Sequence, residues 1–109
     1  MRIFLDDIRD PPAFDGVTGK PITWDRVCRT GVEALDYVEK GLATFISFDH
    51  DLGFGLTGYD VANRIEKLAV TGKIPPIDYA VHSANVVGAN NIDKAMKSAW
   101  RFWEKGEEA

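Results

Sequence analysis

Cysteine is nearly absent: Cys28 is the only one in 109 residues. A single thiol cannot close an internal disulfide, so a reducing, cytoplasmic setting is expected. No histidine stands near Cys28 in sequence, so it reads as a small apolar residue on a strand and not as a nucleophile. Long apolar runs are also missing. Nothing approaches the roughly 20 residues of a membrane-spanning helix, and no membrane partner is expected. The opening "MRIFLDD" turns acidic at Asp6, unlike a secretory leader. Positive charge is in deficit, with 13 Lys and Arg against 17 Asp and Glu. Duplex DNA is therefore not an expected partner, because phosphate backbones call for clustered Lys and Arg. A nucleotide-sized ligand stays open, since a metal or a few local donors can hold it. There are no internal repeats and no low-complexity stretches.

What remains is one domain's worth of ordinary globular sequence, 45% hydrophobic and 28% charged. We read residues 1–103 as a single domain and 104–109, "EKGEEA", as a frayed polar tail. "RIFL" is a short buried strand. Residues 8–22 carry three prolines and two glycines and form a loop. Residues 24–29 are a second, weaker strand. Thr30 and Glu33 make a capping box that opens a helix with Val32, Leu35 and Val38 as its apolar stripe, ended by Gly41. "TFISF", 44–48, is the strongest strand. Thr57 and Asp60 repeat the capping pattern before a helix with Val61, Ile65, Leu68 and Ala69 on one face, stopped by Gly72 and the Pro75–Pro76 pair. "DYAVHS", 78–83, is the fourth strand. "VGANN" leads into a last helix with Ile92, Ala95, Met96, Ala99 and Trp103 aligned; its aromatics read as core and cover.

Strands alternating with helices imply right-handed crossovers and a mostly parallel sheet. The expectation is four strands in the order 2-1-3-4 with about three helices. In such sheets ligands bind beyond the carboxyl ends of the strands, where the strand order reverses. The polar residues fall there. Asp6 and Asp7 follow strand 1; Asp49, His50 and Asp51 follow strand 3; His82, Ser83 and Asn85 follow strand 4.

Crowded carboxylates repel, and a hard divalent cation relieves this with oxygen ligands. Asp6, Asp7, Asp49 and Asp51 are the candidate ligands for Mg²⁺ or Mn²⁺. Each aspartate taken singly could merely cap a turn. Delivery by several strands to one rim favours a site. His50 and His82, the chain's only histidines, both fall on this rim and are candidates for acid–base work near neutral pH. Ser83, Asn85 and Arg9 are candidate phosphate contacts. The N-terminus of the last helix, with Gly88, Asn90 and Asn91, offers either backbone N–H groups to an anion or plain capping.

"LDD" after strand 1, the Asp49 that ends "FISFD", Gly58 before a helix, and "SA" after strand 4 resemble the response-regulator receiver domain. That resemblance implies an acid pair in Asp6 and Asp7, a phosphoacceptor-like Asp49, and Ser83 at the Ser/Thr switch position. "LDDIRDPP", "SFDHDLG", "TGYDV" and "VHSANVVGANN" together resemble the cyclic-phosphate processing receiver-like family, over roughly residues 3–95. The implied fold is a three-layer, flavodoxin-like α/β fold with a truncated sheet. Two departures from ordinary receivers stand out: no first crossover helix, and no fifth strand with its lysine. Phosphotransfer through Asp49 loses support without that lysine.

The expected function is metal-assisted hydrolysis, or recognition, of a cyclic phosphate on a small nucleotide or RNA end. Asp49 would join the metal ligands as part of the catalytic set with His50 and His82. The alternative is a non-enzymatic receiver-like signalling or binding domain with Asp49 as phosphoacceptor.

Overall fold

The computed structural model describes residues 1–108, with side chains through Lys105. Ala109, the last position of the expected tail, lies outside the described residues. The elements run β1 (Arg2–Leu5), β2 (Arg26–Cys28), α1 (Gly31–Glu39), β3 (Phe45–Phe48), α2 (Gly58–Thr71), β4 (Asp78–Val81) and α3 (Val86–Glu108). The sheet is parallel throughout, in the order β2-β1-β3-β4. This is the receiver-like α/β architecture with a four-stranded sheet and three helices.

Capping explains two of the helices. The Thr30 side chain accepts from the Glu33 N–H, and Thr57 with Asp60 forms a reciprocal capping box. Gly72, in the left-handed region at φ 70°, closes α2. The last helix starts earlier than "VGANN" suggested. Asn85 is its cap: its side-chain oxygen accepts the Gly88 N–H and its carbonyl accepts the Ala89 N–H. Gly88, Asn90 and Asn91 are therefore inside α3 and not ahead of it. Its backbone is helical to Glu108, through most of the polar end segment.

Register sorts the strand side chains. Ile3 pairs with Ile46, and Leu5 with Phe48, so these four share one face. All are fully buried, in one cluster with Ala34 and Val38 of α1, Ile65 of α2, and Ile92, Met96 and Trp103 of α3. All three helices therefore cover the same face. Val32, expected on the apolar stripe of α1, is 67% exposed. Gly31 and Ala34 are buried in its place. A Cβ at Gly31 would come within 2.9 Å of the Leu56 and Val61 side chains, so close packing rotates the helix onto its smallest residues.

The opposite face carries Arg2, Phe4, Phe45, Ser47 and Ala80. Among the described residues no helix covers it, so the second helix layer of the expected three-layer fold is missing; the loop of residues 8–22 and Trp24 cover it instead. Trp24 packs edge-on to Phe4, with ring centroids 5.3 Å apart, and its Nε1 donates to the Pro12 carbonyl. The second strand is accordingly shorter than 24–29, because Trp24 has left it to cover the sheet. Asp25 follows suit, accepting the Arg2 N–H at 2.7 Å.

Candidate functional site

The backbone ladder runs one residue past the strands. The Asp6 N–H donates to the Cys28 carbonyl, Asp49 to Leu5, and His82 to Phe48. Asp6, Asp49 and His82 thus form a row across the carboxyl rim, on the same side as Phe4 and Ser47.

Asp6 is fully buried. Its Oδ1 accepts the Ile8 and Arg9 N–H groups at 3.0 and 2.8 Å, and its Oδ2 lies 3.0 Å from His82 Nε2. Burial alone would raise its pKa; the hydrogen bonds from Arg9, Ile8 and His82 together outweigh burial and hold it below the usual value of 3.8. An ionised Asp6 can only accept, so His82 Nε2 carries a proton toward it. Its Nδ1 shares a hydrogen bond with the Ser47 hydroxyl, across 2.7 Å. Phe4 lies flat on the imidazole, centroids 4.5 Å apart and planes 7° off parallel. Both His82 ring nitrogens are therefore engaged within the protein.

Asp6, Asp7 and Asp49 each offer one carboxylate oxygen, all within 4.8 Å of one another. Two like charges at 4–5 Å repel by roughly 3–4 kcal/mol at an effective dielectric of about 20. Three such charges are stable only with a proton, a cation or compensating donors. Asp6 has its donors; among the described residues the Asp7 and Asp49 carboxylates have no hydrogen-bond partner. The trio is thus an acidic cluster able to hold a metal. Asp51 is not part of it: it is exposed and lies 3.5 Å from Asn85 Nδ2.

His50 sits on the helix side of the rim. A Cβ at Gly88 would fall inside contact distance of its ring, so glycine is required in the first turn of α3. His50 Nδ1 is buried and unpartnered among the described residues. Gly58 plays a similar part: a Cβ there would collide with the Asp49 carbonyl. The Ser83 hydroxyl accepts the Asn85 N–H, so Ser83 and Asn85 together build the start of α3. Arg9 is half exposed. Its Nη1 donates to the His82 carbonyl at 3.3 Å, and its Nε stands 3.9 Å from Asp6. Exposed apolar residues ring the site: Ile8 after β1, Phe54 after β3, and Val86 and Val87 after β4.

Two working residues escaped the reading of the sequence. Ser47 was hidden in an apolar run; the signal was a lone hydroxyl in "FISF" on a strand where every residue is half- or fully buried. Arg29 donates to the Asp6 and Arg9 carbonyls and to Asp10, and so fastens the loop that follows Asp6. Nothing in its local sequence signalled this, because its partners lie 19 to 23 residues away.

Neither the curated proteins nor the solved structures contain a match to this chain. The family model for the cyclic-phosphate processing receiver domain matches residues 1–98. With nine-tenths of its length matched, its sheet truncated at β4 and its acid trio at the rim, the chain belongs to the cyclic-phosphate processing receiver domain family.

Proposed function

We propose that the domain hydrolyses a cyclic phosphate on a nucleotide or RNA end, assisted by Mg²⁺ or Mn²⁺ at the rim. The observation that carries this reading is the convergence of Asp6, Asp7 and Asp49 within 4.8 Å, with two carboxylates free of protein donors. An all-oxygen set of this size suits a hard divalent cation that keeps several waters. Such a cation would polarise the phosphodiester and lower the pKa of a bound water.

The chain's own residues do the rest. The Asp6 loop and His82 fix the buried carboxylate in one orientation. Arg9, half exposed and held by a long hydrogen bond to the His82 carbonyl and a 3.9 Å ion pair with Asp6, is the guanidinium available to phosphate oxygens. The Ser83 hydroxyl and Asn85 Nδ2 border the same rim. His82, with both nitrogens engaged, acts on Asp6. His50, which no hydrogen bond ties to the Asp6–His82 pair among the described residues, is the histidine left to protonate the leaving alkoxide. Opening the ring breaks one P–O bond and forms another to the water oxygen, giving a phosphomonoester and a free hydroxyl.

The test is a panel of cyclic and acyclic phosphoesters assayed with Mg²⁺, with Mn²⁺ and with EDTA. Ring opening that depends on metal is the expected result. Either cation should also raise the melting temperature by binding the native state, and Asp7→Asn or Asp49→Asn should abolish the rise. Ligand binding without product would reduce the domain to a recognition module. No thermal response to either metal would remove the cation from the mechanism.

A further inference from the structure

We infer that the helix-free face of the sheet holds the base of the phosphate ligand, in a pocket beside the rim walled by Phe4, Pro12 and Trp24. The cavity is about 300 Å³, with Ser47 on its floor and Arg9 and His82 at the end toward the acid trio. That volume lies at the bottom of the range for small-molecule sites, which suits one flat ring system and not a dinucleotide.

Three observations point to a ring. First, the wall is aromatic and fixed. The indole of Trp24 is tied to the Pro12 carbonyl at 3.0 Å and braced edge-on by Phe4, so little ordering remains to be done on binding. Second, the polar atoms near the floor are few and already positioned: the Ser47 hydroxyl and the His82 imidazole, locked to each other at 2.7 Å. A few placed polar groups beside an aromatic wall fix orientation, with Arg9 and Asp10 as the charged lining residues. Third, the pocket and the rim share two residues. His82 faces the pocket while bonded to Asp6, and Arg9 lines the pocket while standing 3.9 Å from the Asp6 carboxylate. A ligand anchored by phosphate at Arg9 therefore has its attached ring directed over the sheet.

The pocket exists because residues 8–22 form a loop where an ordinary receiver places a helix. A helix there would cover Phe4 and Ser47. The loop crosses at Pro12 and leaves a gap between itself and the sheet.

The assignment rests on the phosphate reading of the rim for the other half of the ligand. Two half-ligands separate the two ideas. A ribose cyclic phosphate lacking a base probes the rim alone. A nucleoside lacking phosphate probes the pocket alone, followed through the Trp24 indole N–H resonance. The intact nucleoside cyclic phosphate should bind roughly tenfold tighter than its base-free counterpart, as one stacked base supplies. Trp24→Ala should erase that advantage and leave affinity for the base-free ligand unchanged. Trp24→Phe keeps a ring and should keep most of the preference, which also guards against a folding defect in the alanine variant. Equal affinities with and without the base would overturn the pocket while leaving the rim intact. A Trp24 resonance that ignores the free nucleoside would overturn it whatever the rim does. Failure of the base-free ligand alone, with the nucleoside still shifting Trp24, would count against the rim and for the pocket.

Discussion

On β3, Ile46 and Phe48 turn toward the helices, while Ser47 and Asp49, one residue along each time, turn to the opposite side. The helix-covered face is continuous hydrocarbon from all three helices and all four strands. The other face keeps Arg2 over the rings of Trp24 and Phe45, a hydroxyl bonded to an imidazole, and a buried carboxylate. The strands give the first face few polar groups, and the buried nitrogens without a partner there among the described residues, Trp103 Nε1 and His50 Nδ1, lie on α3 and beyond the end of β3. The second holds polar groups that are largely paired, Ser47 with His82 and His82 with Asp6, while the Asp49 carboxylate and the buried Arg2 Nε have no hydrogen-bond partner among the described residues. A two-residue period thus divides one strand between cohesion and chemistry.

His50 is the residue that breaks this division. It shares parity with Ile46 and Phe48 and packs on α3, yet we assign it the proton transfer. His50→Gln keeps approximate size and removes the titrating group. Turnover should fall about 10²- to 10⁴-fold, roughly 3–5 kcal/mol in the barrier, with ligand affinity little changed. Full turnover in both His50→Gln and His82→Gln would end the acid–base mechanism.

Ile46→Ala tests the covered face. Its side chain is fully buried, and truncation should cost about 2–5 kcal/mol by leaving a cavity under the helices. Urea melts should show the loss, with the metal-induced rise in melting temperature retained. Ser47→Ala, one residue along, removes the hydrogen-bond partner of His82 Nδ1 and should cost about 1–2 kcal/mol, the penalty of one unmet polar atom. It should also weaken the metal response, since His82 would no longer be held against Asp6. If the two variants lose equal stability and neither alters metal binding, the two faces do not differ as described.

The smallest effect lies at the margin of the covered face, where Tyr79 donates to Asp93 at 2.7 Å and Lys97 pairs with the same carboxylate. The Lys97 bond, and then the Tyr79 bond, hold Asp93 below its usual value of 3.8. A lowered folded pKa stabilises above the unfolded value and loses that stability as pH falls through the folded one. Tyr79 is pushed up to about 12 from 10.0, first by burial and then by Asp93. Its share is present below pH 10.0 and is lost as pH rises through about 12. Melting temperature followed from pH 5 to about pH 2 should drop less steeply in Asp93→Asn than in the parent. Identical acid limbs would show that the pair contributes nothing.

Much of this molecule was legible in its residues. Capping pairs at Thr30 and Thr57, prolines in 8–22, and continuous apolar strands are local signals, and each acts through neighbours within a few positions. They were enough to place four parallel strands in the order 2-1-3-4, and strand-end logic was enough to send Asp6, Asp7, Asp49, His50 and His82 to one rim. Register and packing decided the rest, because they depend on partners far apart in sequence. Val32 faces water because Gly31 alone fits beneath Leu56 and Val61. Asp51 is separated from the acid trio and bonded toward α3. His82 spends its two nitrogens on Ser47 and Asp6, 35 and 76 residues away, and no local pattern encodes a bond over that span. Composition and periodicity therefore set the elements and the edge where polar groups gather, while only the tertiary structure decided which of those groups touch, since hydrogen bonds and close contacts reach about 3–4 Å and read no sequence distance.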